Sequence, residues 1–161
     1  MLTTILAAVD GSEHGRRAAT LAGDLAGRYG ARLVIVHVMT SEPMPAELMD
    51  LAVEAAMPAG LAEAPAGELL SPADQAGMRL AVGERLLDEA MELARGQGAD
   101  TVQTLLLRGD AATVILERVA QEDAHLVVMG AKGLGALQDL LLGSVSQKVS
   151  QLAPCGCLTV R

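Results

Sequence analysis

Apolar runs of strand length alternate along this chain with longer segments of helical period. Such a chain buries both faces of its strands most readily as a parallel sheet covered by helices, so the expected fold class is α/β. Strand one is read from Thr3 to Asp10. Asp10, Gly11 and Ser12 then offer side-chain oxygens and a flexible residue where a helix must start. Ala18, Leu21, Ala22, Leu25, Ala26 and Tyr29 recur at helical spacing, and Gly30 supplies the stop. Leu33 to Met39 is apolar on both faces, as an interior strand requires. The remaining expected elements are a helix from Leu80 to Arg95, a strand from Val102 to Leu107 and a helix from Ala111 to Gln121 capped by Asp110. A strand from Leu126 to Met129, a helix from Ser144 to Leu152 and a last strand from Cys157 to Val160 complete the series.

Composition narrows the function classes. The chain has 161 residues, 51% of them hydrophobic and 20% charged, enough to bury one core and far from the disordered class. The expectation is a single domain over residues 1–161 with a proline-rich insert at about 40–76, where five of the six prolines lie. Within that insert Ala46 to Met57 carries apolar residues at helical spacing and is read as a short amphipathic helix. With no Trp, no Phe and Tyr29 as the one Tyr, stacking platforms for single-stranded nucleic acid are missing. The net charge of −8 also lacks the field that phosphate backbones attract, so nucleic acid is not an expected partner. No apolar run approaches the roughly 20 residues that span a bilayer. Cys155 and Cys157 form neither a disulfide framework nor a metal spacing, which fits a cytoplasmic protein with no metal site of its own.

The chemistry concentrates between Gly130 and Ser146. The chain reads Gly130-Ala131-Lys132-Gly133, nine further residues, then Gly143-Ser144-Val145-Ser146. This loop leaves the carboxyl end of a parallel strand, where ligands bind in open α/β sheets, and it ends on a helix N-terminus. A helix start presents unpaired N–H groups and partial positive charge, which favours an anion such as phosphate. Gly143 admits close backbone approach, Ser144 and Ser146 add hydroxyls, and Lys132 either adds a point charge or is a solvated loop residue. The spacing is neither a P-loop nor a Rossmann fingerprint.

The pattern G-2x-G-9x-G-[ST] from Gly130 to Ser144 resembles that of the nucleotide-binding branch of the universal stress protein family. Val9-Asp10-Gly11-Ser12-Glu13, His37-Val38, Gly109-Asp110-Ala111 and Ala153-Pro154-Cys155 resemble further landmarks of that family, so the likeness covers nearly the whole chain. It departs at Gly156, where the family usually has Pro, and in the insert. The resemblance implies a doubly wound, Rossmann-like five-stranded parallel sheet of order 3-2-1-4-5 with helices on both faces. It implies that Asp10 and Val38, the latter through its backbone, border the adenosine of ATP. Gly130, Gly133, Gly143, Ser144, Val145 and Ser146 would then hold ribose and phosphates, with Mg2+ held through the phosphates. A homodimer is also implied. In that strand order Cys157 to Val160 forms a sheet edge, whose unpaired backbone groups invite a second copy.

Several residues have a second reading. Asp10 at a strand end serves equally to bind ribose or to cap helix one. His37 and His125 lie in strands and read as structural, while for His14 near a helix start a ligand contact is the less favoured of its readings. Rapid phosphoryl transfer needs carboxylate-held metal, a positioned nucleophile and a stabilising cation. No such set stands out, so catalytic residues are not assigned and an ATP-binding regulatory module is favoured over an enzyme. Slow ATP hydrolysis or autophosphorylation on Ser144 or Ser146 is the alternative. A scaffold that docks a protein partner around structurally bound nucleotide is the third.

Overall fold

A computed structural model describes residues 1–46, 48, 49, 72–134 and 142–161 of the chain. In order, these residues form β1 (Thr4–Ala8), α1 (Glu13–Tyr29), β2 (Arg32–Met39), α2 (Pro72–Gly96) and β3 (Val102–Arg108). They continue with α3 (Ala111–Gln121), β4 (Leu126–Gly130), α4 (Ser144–Leu152) and β5 (Gly156–Val160). The five strands make one parallel sheet of order β3-β2-β1-β4-β5. Ile5 is in register with Leu33 on one side and Leu126 on the other, which puts β1 at the centre.

The alternation of side chains across each strand sorts the core into two layers. Ile5, Ala7, Leu33, Ile35 and Val128 point to one face, where they meet Ala18, Ala22 and Ala26 of α1 and Leu87, Ala90 and Ala94 of α2. Leu6, Val34, Val36, Val127 and Met129 point to the other and meet Ala112, Ile115 and Val119 of α3 and Val149 of α4. Small residues let the first helix pair approach closely. A Cβ on Gly23 of α1 would lie 2.5 Å from Ala94 Cα of α2.

Helix ends follow the local sequence. Ser12 caps α1 by accepting from Gly15 N at 3.0 Å, and Gly30 ends it in the left-handed conformation that favours glycine. Asp110 caps α3 by accepting from Thr113 N at 3.0 Å. Helix α2 begins at Pro72, eight residues before the start expected from apolar spacing. Proline is tolerated in a first helical turn because its missing N–H has no intrahelical partner to lose. The short helix expected over Ala46 to Met57 falls largely outside the described residues.

Candidate functional site

The sheet's strand order reverses at β1, which pairs with β2 on one side and β4 on the other. A cleft of about 520 Å³ opens at the carboxyl ends of these three strands. Open α/β sheets bind ligands at this place, because the helix pairs diverge to opposite faces and leave a crevice between the loops. Asp10, Val38, Gly130, Lys132, Gly133, Gly143, Ser144, Val145 and Ser146 all border it, so the fold gathers residues that the sequence spreads over 137 positions, from 10 to 146.

Asp10 ties two loops together. Its Oδ1 accepts from Ser12 N at 3.0 Å and from Ser12 Oγ at 2.6 Å, while its Oδ2 accepts from Leu134 N at 3.2 Å. The cap of α1 is Ser12, which leaves Asp10 to join the loop after β1 to the loop after β4. Gly133 permits that junction, since a Cβ there would stand 2.4 Å from Asp10 Oδ2. Gly130 permits another close approach. Its Cβ would lie 2.9 Å from the Cβ of His14, at the first turn of α1.

Gly143 differs from both. Its φ of −74° and ψ of 163° suit any residue, and a Cβ there would find its nearest neighbour at 3.6 Å, an ordinary contact. Neither backbone conformation nor packing within the chain calls for glycine. Gly143 is the N-cap of α4 and provides no side-chain hydrogen bond, so the first amides of that helix have neither an intrahelical partner nor a cap. Gly143 N itself donates to Ala131 O at 2.7 Å. Ser146 is buried, and its hydroxyl lies 2.8 Å from Ala131 O and 3.0 Å from Gly143 O. The Ser146 hydroxyl therefore braces the loop, whereas Ser144 is exposed. An uncapped helix start, an exposed hydroxyl and Lys132 suit an anion better than a bare cation. Among the described residues no group of three or more His, Cys, Asp or Glu could hold a metal ion.

His37 also borders the cleft, a place that its apolar strand context does not signal. Its ring is buried and donates from Nδ1 to Val9 O at 2.8 Å, which pins the strand end just before Asp10. Burial pushes its pKa down, against smaller opposing effects of the Val9 hydrogen bond and the Asp10 charge. The other wall was not foreseen either. Residues 39–40 and 42–45, Leu48, Arg79 and Val82 line it, through contacts between the chain leaving β2 and helix α2. His14 and His125 do not border the cleft, nor do Cys155 and Cys157, whose thiol pKa values are raised by burial.

A parallel sheet of this order, with a glycine loop and a helix start at its reversal point, defines a doubly wound α/β protein. The universal stress protein family model matches residues 1–161, and the chain belongs to that family. A universal stress protein of Thermus aquaticus, from the 3′ region of QAH/OAS sulfhydrylase, is 40% identical over 161 residues, covering all of both chains. Among solved structures, universal stress protein UspA from Lactobacillus plantarum has a TM-score of 0.74 at 22% identity, over 99% of this chain and 98% of its own. A universal stress protein in complex with cAMP gives 0.66 at 21% identity, over 99% of this chain and 97% of its own. The Archaeoglobus fulgidus protein in complex with dAMP gives 0.64 at 18% identity, over 100% and 98%.

Proposed function

We propose that this protein binds an adenine nucleotide, ATP with Mg2+ held through its phosphates, and acts as a nucleotide-dependent regulatory module of the universal stress type. The observation that carries the reading is Gly143. It is glycine where the chain itself does not require one, at a helix start with no side-chain cap, in the cleft at the strand reversal. An approaching phosphate explains both features, because it needs the space of the missing Cβ and the unpartnered amides of Ser144, Val145 and Ser146. The structural neighbours in complex with cAMP and dAMP support adenine as the base.

In this reading Gly130 and Gly133 shape the loop, Lys132 and Ser144 approach the phosphates, and Asp10 and Val38 border the adenosine. The protein works in the cytoplasm as one domain with a proline-rich insert. It forms a homodimer through β5, which pairs with β4 alone among the described strands. No helix among the described residues is long and apolar enough to cross a membrane. The test is isothermal titration of Mg-ATP into wild type and Gly143→Val. Wild type should bind, and the variant, folded by circular dichroism, should lose at least about tenfold in affinity, since one displaced phosphate contact exceeds 1.4 kcal/mol. Equal affinity in both would place the phosphates elsewhere.

A further inference from the structure

The cleft has two unlike ends. One holds the glycine loop, Lys132 and the start of α4; the other is walled by Pro43, Met44 and Leu48 together with Arg79 and Val82 of α2. Met44 and Leu48 are held there by packing on Val82 and Leu86, which are 2% and 3% exposed. Arg79 is half-buried, and its Nη1 donates to Thr40 O at 3.1 Å, just beyond the end of β2. This bond fixes the guanidinium on the wall formed by α2 and the chain leaving β2.

We propose that Arg79 is a ligand-contacting residue whose guanidinium is the flat surface on which the nucleotide base stacks, with Met44 on the apolar wall beside it. The inference rests on the nucleotide reading above and adds the group that holds the base. A base gains affinity by stacking on a planar partner, and this chain has few to give. It contains no Trp or Phe, and Tyr29 is exposed at the end of α1, near the amino end of β2 and so at the opposite end of the strands from the cleft. His37 borders the cleft but is only 9% exposed, which leaves its ring little surface for a base. Arg79 supplies a delocalised, weakly hydrated plane that stacks well on π systems, and its bond to Thr40 fixes that plane before the ligand arrives. Lysine would keep the charge and a donor for the Thr40 carbonyl but would lose the plane.

Calorimetric titration of wild type, Arg79→Lys and Arg79→Ala with Mg-ATP, adenosine and inorganic triphosphate tests this. Stacking on one base predicts that Arg79→Lys weakens ATP and adenosine by the same factor, about fivefold or more, with Arg79→Ala at least as weak. Triphosphate affinity should stay unchanged in both, and circular dichroism should show equal helix content. Unchanged ATP affinity in both variants overturns the inference and leaves the nucleotide reading standing. A matching loss of triphosphate affinity also overturns it, by making Arg79 a phosphate contact. Wild type that binds neither ATP nor adenosine overturns the nucleotide reading itself.

Discussion

A Cβ on Gly133 would stand 2.4 Å from Asp10 Oδ2, whereas one on Gly143 would meet nothing nearer than 3.6 Å. Gly133→Ala should therefore push Asp10 off the Leu134 amide and destabilise the protein by about 1–3 kcal/mol. Gly143→Ala should cost no more than about 1 kcal/mol, the penalty of alanine at an N-cap without a steric clash. Urea unfolding of the two variants checks the order, and the reverse order would remove the reason given for Gly143. The spacing of these glycines was legible in the sequence, but not that Gly133 serves the chain's own packing while Gly143 does not. That distinction depends on Asp10, 123 residues away from Gly133. His37 gives a pH prediction. Its buried ring binds a proton only below the ordinary histidine value of about 6.5, so in that window the unfolded chain takes up more protons than the folded one. Stability should fall as pH drops from 7 through 6. Thermal unfolding of His37→Asn, whose amide N–H replaces Nδ1–H toward Val9, should show a shallower fall, and an equal slope would assign the effect to other groups.

At the scale of elements, α1 and α2 pack through small residues on one face of the sheet. The Cβ of a Gly23→Ala variant would lie 2.5 Å from both the Cα and the carbonyl oxygen of Ala94, backbone atoms that cannot swing aside. The helices must separate, so the variant should lose about 1–3 kcal/mol, read as a lower urea midpoint, while Gly30 variants act by a different route through positive φ. Full stability in Gly23→Ala would mean that the two helices are spaced more widely than described. The helices and strands were legible because each long segment carries a clean period of 3.6 or a continuous apolar run. The start of α2 at Pro72 was not, since Pro72, Ala73 and Asp74 look as much like a loop as like a first turn. Equally hidden was the wall beyond β2. Arg79 reaches Thr40 across 39 residues of sequence, and nothing in either neighbourhood announces the contact.

For the whole molecule, β5 is the sheet edge beside the reversal point. Leu158 and Val160 pack partly against one core layer and Cys157 against the other, so both faces of the strand are engaged while its outer backbone edge pairs with no described strand. An edge of this kind accepts a second copy about a twofold axis. Light scattering at micromolar concentration should give twice 16.6 kDa, and removing the last four residues should give monomers. A wild-type mass of 16.6 kDa would refute the dimer. The strand order that creates this edge was legible only through resemblance, because alternation alone specifies a parallel sheet and not its sequence of strands. Nucleotide binding remains the claim on which the rest depends, and thermal unfolding with and without Mg-ATP tests it most directly. A ligand bound only by the native state stabilises it by about 2.7 kcal/mol at a hundred times Kd, and for a chain of this size that raises Tm by about 5–10 °C. That rise, or adenine nucleotide released from the protein as isolated, is the expected result; an unchanged Tm at saturating Mg-ATP with no nucleotide carried through purification would contradict it.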